Sequence, residues 1–356
     1  SNEVVEKNIA VAKVDSLYDP TISIIVGISF FLALSFGAKY VLAGELSIGQ
    51  LISFTSYLGL LIWPMLAFGW LFNIVERGRA SYDRVRNILD KKIEISDEKE
   101  ANDLIPSGDI HYRIGQFSYP DETEPTLSDI SFTVKRGETL GVVGKTGSGK
   151  TTLLKLLIRE FDGPDVNISF EDHSLTDYRI ANLRGAIGYV PQDHFLFSAT
   201  IAENIAFARH DASIEAIHEA AEVANIHRDI LGFSESYETI VGERGVSLSG
   251  GQKQRLSIAR ALLMNPEVLV LDDSLSAVDA KTEEAILSSL KRNRAGKTTL
   301  ITSHRLSAIQ HADLIIVLHE GRIIQRGNHD ALMDQDGWYK QMYLRQQLEE
   351  LVEHGG

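Results

Sequence analysis

A glycine-rich loop at residues 144–151 has the residue types needed to bind the phosphates of a nucleotide. It fits the pattern G-x-x-x-x-G-K-S/T and lies between an apolar run and a helical pattern. In such loops the backbone N–H groups surround the phosphates, the lysine (Lys150) reaches the outer ones, and the hydroxyl of Thr151 can ligate Mg²⁺. The predicted nucleotide-binding residues here are Gly144, Lys145, Thr146, Gly147, Ser148, Gly149, Lys150, Thr151 and Thr152.

Short apolar runs on both sides of this loop predict the element types that position it. Compact runs separated by helical patterns are typical of buried parallel strands, so we expect an α/β core. These runs are Leu140–Val143, Ile187–Val190, Val268–Leu271, Thr299–Thr302 and Leu314–Leu318. Strand-like runs between residues 109 and 134 predict a small antiparallel region, and helical spacing predicts a helical subdomain at about residues 200–265 and a terminal helix at 337–352.

Two uncharged stretches, residues 21–38 and 51–75, precede the α/β part. Each is long enough to cross a bilayer as a helix, so we predict an all-α transmembrane hairpin with spans at about 21–43 and 50–75. Basic residues are absent from the connection between the spans and frequent after the second one, which predicts that the C-terminal part is cytoplasmic. Two buried helices of a soluble protein are the alternative interpretation.

Composition sets further limits. The chain of 356 residues is long enough for two domains, and we predict a partial transmembrane domain at 1–90, a linker at 91–107 and a nucleotide-binding domain at 108–356. A net charge of −14 without a large basic patch argues against a nucleic-acid partner. The absence of cysteine excludes disulfides and cysteine-based metal sites within this sequence.

A second motif is more specific than the loop. Leu248-Ser249-Gly250-Gly251-Gln252, followed by Lys253-Gln254-Arg255, resembles the signature sequence of ATP-binding cassette (ABC) proteins. At a helix N-terminus, the Ser249 side chain and the backbone N–H of Gly251 would face an anion. In that family the anion is the γ-phosphate of ATP bound to the opposite subunit, so Ser249, Gly250, Gly251 and Gln252 are expected to contact the partner's nucleotide.

The resemblance to ABC proteins also implies roles for single residues. Asp272 is similar to the acid that holds Mg²⁺, together with Thr151 and Gln192, and Gln192 is similar to the glutamine that senses metal and nucleotide. His304 is similar to the switch histidine at the γ-phosphate, and Ser276-Ala277-Val278-Asp279 to the D-loop. Tyr119 is similar to the aromatic residue that stacks on adenine. The implied ligands are ATP and Mg²⁺, and the expected catalytic residues are Asp273, His304 and Gln192.

Within that family the chain resembles ABC exporters. Residues 241–245, in which Glu243 would touch the intracellular loops of the membrane domain, and residues 195–205 are of exporter type, as are membrane spans fused to the nucleotide-binding domain. The resemblance is to one half of a heterodimeric bacterial multidrug exporter. It implies a multi-pass protein of the cell membrane, a second half-transporter as partner, contact with membrane lipid, and hydrophobic or amphipathic small-molecule substrates. Because such a half has six spans, we expect the first four to be missing from this sequence.

Asp273 departs from the family pattern, in which members that hydrolyse ATP well carry glutamate at this position. Losing one methylene withdraws the carboxylate by roughly 1.5 Å, whereas a general base must lie about 2.6–3.2 Å from the atom it deprotonates. We therefore predict impaired hydrolysis at this chain's own site and a partner with glutamate there. The alternatives are a harmless variant, a homodimeric exporter of lipids or peptides, and a nucleotide-gated subunit that does not hydrolyse ATP.

Overall fold

The computed structural model describes residues 2–120, 122–242 and 246–354. Its internal contacts divide the chain into two compact units, Ser1–Ile93 and Glu94–Gly356.

The first unit is a pair of long helices. Helix α1 covers Asn2–Leu42 and helix α2 covers Ile48–Leu89. Ser47 caps α2 through a reciprocal pair of hydrogen bonds with Gln50, which fixes the start of the helix after a short turn. Ser16–Leu42 and Ile48–Leu89 have the length and composition to cross a membrane, and none of their most apolar residues is buried within the protein. The helices thus continue beyond the apolar stretches on which the sequence prediction was based.

The second unit is built on a six-stranded sheet in which five neighbouring strands are parallel and one edge strand is antiparallel. Its spatial order is β12-β11-β3-β10-β9-β6. In chain order these strands are β3 (Thr139–Gly144), β6 (Ile187–Val190), β9 (Val268–Asp272), β10 (Thr298–Thr302), β11 (Leu314–His319) and β12 (Arg322–Gly327). The predicted α/β fold class is confirmed.

A separate antiparallel sheet, in the order β2-β1-β4-β5, adjoins it. Its strands are β1 (Ile110–Phe117), β2 (Leu127–Val134), β4 (Val166–Phe170) and β5 (His173–Ser174). In β1 and β2 buried and exposed residues largely alternate, as expected for a sheet with one face against the core. The sequence pattern indicated the β1–β2 part only.

Helices surround the central sheet. In chain order they are α3 (Lys150–Leu157), α4 (Ile180–Gly185), α5 (Ile201–Ile205), α6 (Ile214–Val223), α7 (His227–Leu231), α8 (Gly250–Leu263), α9 (Ala280–Asn293), α10 (His329–Asp334) and α11 (Trp338–His354). In the sequence, helices α5 to α7 lie between the two strands of a short antiparallel ribbon, β7 (Ala199–Thr200) and β8 (Ile240–Val241).

The core lies on both faces of the six-stranded sheet. Successive residues of β9 belong to different hydrophobic clusters: Leu269 and Leu271 pack on one side, and Val268 and Val270 on the other. Side chains of a strand alternate between its two faces, so this division shows that both faces are covered. A parallel sheet buried in this way leaves the ends of its strands as the accessible places for polar chemistry.

Candidate functional site

The predicted nucleotide-binding loop and the three predicted catalytic residues follow four adjacent strands at one edge of the sheet. The glycine-rich loop at residues 144–151, called the phosphate loop below, follows β3. His304 follows β10, Asp273 follows β9 and Gln192 follows β6. These strands are neighbours and parallel, so their carboxyl ends meet at the same edge. In open α/β sheets this edge is where ligands bind.

The phosphate loop is fixed between β3 and α3 by its glycines. Gly149, the residue before α3, has φ of +100°, a backbone conformation that costs little only for glycine. The helix therefore begins at Lys150 with its N-terminus directed toward the loop. Backbone N–H groups and the positive end of the helix dipole at such a start favour an anion.

Lys150 lies inside this loop. Its side chain is buried, and the Nζ atom donates hydrogen bonds to the carbonyls of Gly144 at 2.9 Å and Lys145 at 3.1 Å. Burial lowers the pKa of Lys150, while the charges of Asp273 and Asp272 oppose that shift. The ammonium group is thus held over the loop and next to both carboxylates.

Asp272 is the most heavily hydrogen-bonded acid of the site. Its Oδ1 accepts from the hydroxyls of Thr302 at 2.7 Å and Thr151 at 3.1 Å, and its Oδ2 accepts from the Tyr189 hydroxyl at 3.0 Å. In nucleotide-hydrolysing proteins with such a loop, a Ser or Thr of the loop and an acid at the end of a strand hold Mg²⁺, and Thr151 and Asp272 were predicted for these two roles. The fold brings these two oxygen groups together from positions 121 residues apart in the sequence.

Asp273 lies beside the other two predicted catalytic side chains. Its Oδ2 is 3.9 Å from His304 Nε2 and 3.5 Å from Gln192 Nε2. Burial raises the pKa of Asp273, and the charges of His304 and Lys150 counteract that shift. The structure thus brings the three predicted catalytic side chains together, while their catalytic roles remain predictions.

Two buried oxygens at this edge lack a partner. Ser148 Oγ, in the phosphate loop, and Asp273 Oδ1 are buried without a hydrogen bond among the described residues. An orphaned buried polar atom is costly unless something else binds it. A nucleotide with Mg²⁺ would supply partners to both atoms, since Ser148 belongs to the predicted phosphate-binding loop and Asp273 follows Asp272, the predicted metal ligand.

Tyr119 is hydrogen-bonded to the first turn of α3. Its hydroxyl lies 2.9 Å from Thr152 Oγ1, and its ring makes edge contacts with Phe161 and Phe117 at centroid distances of 4.9 and 5.3 Å. An aromatic ring held next to α3 is suitably placed for a base whose phosphates lie on the loop.

The signature forms the start of α8. Ser249 caps this helix: its Oγ accepts from the Gln252 N–H at 3.2 Å, and its own N–H donates to Gln252 Oε1 at 3.0 Å. Among the described residues, no hydrogen bond joins Ser249, Gly250, Gly251 or Gln252 to the phosphate loop. The structure therefore does not bring the signature and the loop of one chain into direct contact.

The predicted D-loop connects the two regions. Ser276 Oγ donates to the Asp273 carbonyl at 2.9 Å and accepts from Gln254 Nε2 at 3.2 Å, while Gln254 Oε1 accepts from the Ala277 N–H at 2.9 Å. Hence α8, which carries the signature, is tied to the backbone of the residue next to Asp272. Glu243, for which a contact with the membrane domain was predicted, lies outside the described residues.

Tyr189 and Thr302 were not identified from the sequence, although both hold Asp272. Thr302 is paired with Asp272 in the parallel register of β10 and β9. A polar residue at the end of the neighbouring strand was the available signal. Tyr189 gave no such signal, because a tyrosine in an apolar strand is usually a packing residue.

Replacing Thr302 with valine is expected to destabilise the domain. Valine keeps the shape, but Asp272 Oδ1 loses its 2.7 Å bond and the Asp273 N–H loses its 3.0 Å bond to the hydroxyl. Loss of a hydrogen bond to a buried charged group costs about 2 kcal/mol, which lowers the thermal unfolding midpoint by about 4–8 °C. Thr299→Val on the same strand, where the side chain is also buried, is the matched control. Equal midpoints for the two variants would contradict this role of Thr302.

Comparisons with known proteins agree with this geometry. The ABC transporter family profile matches residues 127–276, and the ABC transporter transmembrane region matches residues 1–65. The chain is 50% identical over 346 residues to the probable multidrug resistance ABC transporter ATP-binding/permease protein YheI of Bacillus subtilis, covering 97% of this chain and 59% of that protein. It is 49% identical to the multidrug resistance-like ATP-binding protein MdlA of Escherichia coli, covering 97% of this chain and 58% of that protein.

A solved structure is similar as well. The structure of a bacterial Atm1-family ABC exporter with ATP bound matches with a TM-score of 0.73 and 34% identity, over 92% of this chain and 57% of that one. The chain thus spans somewhat less than three-fifths of the length of these relatives. Its transmembrane match places it among membrane proteins with a cytoplasmic ATPase domain. The chain belongs to the ABC transporters and is of the exporter half-transporter type, in which transmembrane region and ATPase domain share one polypeptide.

Proposed function

We propose that this chain is a subunit of an ATP-driven multidrug exporter and works with a second, similar half-transporter. One observation carries the proposal: the phosphate loop, Asp272, Gln192 and His304 are gathered at one edge of the sheet, while the complete signature makes no hydrogen bond to the phosphate loop among the described residues. A complete signature that does not serve its own loop fits a dimer in which each chain contributes to the other's nucleotide.

ATP would be held mainly by the residues around α3. The loop N–H groups and Lys150 would bind its phosphates, Tyr119 would stack on the adenine, and Thr151, Asp272 and Gln192 would surround Mg²⁺. When bound, Mg²⁺ neutralises charge on the β- and γ-phosphates. His304 and Asp273, whose side chains are 3.9 Å apart, would act at the γ-phosphate and at the attacking water, respectively.

The short acid supports unequal ATP sites. With Asp273 in place of glutamate, this chain's own site would chiefly bind ATP, and its intact signature would complete the site of a partner that carries the longer acid. The nearest alternatives are a homodimeric exporter of lipids or peptides and a subunit gated by nucleotide without hydrolysis.

The domain arrangement that we propose follows the same scheme. Residues 1–90 would belong to a transmembrane domain of a multi-pass protein of the cell membrane, residues 91–107 would be a linker, and residues 108–356 would form the nucleotide-binding domain with a helical subdomain at about 200–265. The substrates would be hydrophobic or amphipathic small molecules that reach the protein from membrane lipid.

Replacing Lys150 with methionine tests whether this chain binds ATP as proposed. The variant loses a buried ammonium group that lies over the loop, so a charge-assisted hydrogen bond to the phosphates worth about 2 kcal/mol disappears. We expect the ATP affinity of this chain to fall about thirtyfold. Photo-labelling of this chain with an azido-ATP over a concentration series measures it. Lys135→Met, which changes an exposed lysine outside the loop, is the control, and equal affinities would contradict the proposal.

Export and partner choice need a second experiment. Inside-out membrane vesicles that contain the assembly should take up an amphipathic fluorescent dye when ATP is supplied. Uptake without any second subunit would favour the homodimer, and ATP binding without phosphate release by the complete assembly would favour the nucleotide-gated subunit.

A further inference from the structure

Asp229 in the helical subdomain makes three hydrogen bonds to the start of the signature helix. Its Oδ2 accepts from Arg255 Nη1 at 2.8 Å, and its Oδ1 accepts from Arg255 Nη2 at 3.1 Å and from Gln252 Nε2 at 3.2 Å. Arg255 therefore binds the Asp229 carboxylate through both of its terminal nitrogens, Nη1 and Nη2. Such two-point pairs fix orientation as well as distance.

The bond to Gln252 extends this contact to the signature itself. The amide of Gln252 has two ends: Nε2 faces Asp229, and Oε1 accepts from the Ser249 N–H at 3.0 Å. Asp229 thus acts on the amide that closes the cap of α8. Because the same amide serves both contacts, releasing one end frees the side chain that holds Ser249.

Arg255 braces the same turn from its other side. Its Nε donates to the Gly251 carbonyl at 3.3 Å, and its Nη1 also donates to the Asn225 carbonyl at 2.6 Å. The guanidinium group is 13% exposed and the Asp229 carboxylate 29% exposed, so water screens the pair only in part. Burial raises the pKa of Asp229, but the hydrogen bonds from Arg255 and Gln252 outweigh it and lower the pKa.

Asp229 lies in α7, a short helix that is held in place by its own contacts. In α7, Ile230 is fully buried, and His227 Nδ1 lies 2.7 Å from the Tyr237 hydroxyl. The α7 helix is therefore anchored to the helical subdomain independently of α8. It can serve as a fixed reference against which the first turn of α8 is oriented.

We propose that Asp229 is a positioning residue for the signature, holding Ser249 and Gly251 in the orientation that meets the partner's γ-phosphate. The inference rests on the proposed function, since it needs the signature to complete a nucleotide site in the opposite subunit. Asp229 does not touch the nucleotide. Its effect passes through Gln252 and Arg255.

Asp229→Asn in the complete transporter assembly tests this inference. Asparagine keeps one acceptor but presents an N–H₂ group to the guanidinium, so the two-point pair and the link to Gln252 are weakened. Because misplacement of a group by about 1 Å costs up to about 100-fold in rate, we expect a partial loss of about tenfold in kcat. ATP affinity, measured by binding, should not change, because the signature closes on a nucleotide that the partner's loop has already bound.

Two further measurements separate positioning from a merely structural role. Hydrogen exchange of the amides of residues 249–255 should accelerate in Asp229→Asn, while the thermal unfolding midpoint stays within about 2 °C, below the shift expected for about 1 kcal/mol. The loss of kcat in the Asp229→Asn/Arg255→Gln double variant should be smaller than the product of the two single losses, since both substitutions break the same ion pair. Glu235→Gln, an exposed acid near α7, is the control.

The outcomes are distinct. Unchanged exchange, or faster exchange with unchanged kcat, overturns the proposal. Parallel losses of kcat, ATP affinity and thermal midpoint would assign Asp229 a structural role instead. If the unsubstituted assembly shows no ATP hydrolysis, the proposed function fails, and hydrogen exchange alone still decides whether Asp229 holds the signature turn.

Discussion

Replacing Asp273 with glutamate is expected to raise the rate of ATP hydrolysis at this chain's own site by about 100-fold. The longer side chain moves the carboxylate forward by roughly 1.5 Å, toward the water that a general base must reach within about 3 Å. Glutamate and aspartate have similar intrinsic pKa values, about 4.3 and 3.9, so reach and not basicity is changed.

The backbone of Asp273 argues against compensation by a local shift. Its N–H donates to both the carbonyl and the hydroxyl of Thr302 at 3.0 Å, and its carbonyl accepts from Ser276 Oγ at 2.9 Å. Its φ of +47° is a conformation that few residues other than glycine adopt, and aspartate tolerates it better than most. A residue held in this way cannot move forward without breaking bonds on both sides.

The measurement isolates this chain's site. The assembly is purified with the partner's catalytic acid replaced by glutamine, and phosphate release is compared with and without Asp273→Glu. His304→Ala in the glutamate background should remove the gain, because the histidine, whose Nε2 lies 3.9 Å from the Asp273 carboxylate, is expected to act at the same γ-phosphate. Lengthening the exposed Asp336 to glutamate is the control. If Asp273→Glu leaves the rate unchanged, the reach argument is wrong.

Local sequence patterns correctly predicted those elements whose own residues show a clear apolar run or glycine motif. The run Val268–Leu271 became β9 with one further residue, Asp272, and the glycine-rich loop lies between β3 and α3 as expected. Parallel strands are buried on both faces and therefore read as continuous apolar runs. The third and fourth strands of the antiparallel sheet, β4 and β5, were missed because they are short and mixed in polarity.

The contacts that orient the site residues could not be predicted from the sequence. Tyr189 and Asp272 are 83 residues apart, and Asp229 and Arg255 are 26 residues apart. Such pairs depend on how strands and helices are packed, and no local periodicity encodes them. Gln192, Asp272, Asp273 and His304 were predicted because they stand in short motifs that resemble those of ABC proteins, whereas the side chains that support them lie within elements that look like ordinary core.

Replacing Gly251 with alanine is expected to lower ATP hydrolysis by the assembly by about 10²–10³-fold, as for loss of a key backbone donor at a developing charge. A methyl group at this position would lie 2.9 Å from the Ala277 carbonyl oxygen. The D-loop cannot easily give way, because the Ala277 N–H is held by Gln254 Oε1 at 2.9 Å. The first turn of α8 must therefore move, and with it the Gly251 N–H that is proposed to face the partner's γ-phosphate.

Comparing the ATP hydrolysis rate of the Gly251→Ala assembly with that of the Lys150→Met assembly tests whether the two ATP sites are unequal. If this chain's own site mainly binds ATP, removing Lys150 impairs the slow site and costs much less turnover than removing Gly251, which serves the fast one. A homodimer would lose turnover to a similar extent with either variant, since each chain then supplies both halves of every site. Gly185→Ala, where an added methyl would meet no atom within 4 Å, is the control for the substitution itself. Near-normal hydrolysis in Gly251→Ala would show that this signature does not complete a working site, and the intact motif would then say nothing about a partner.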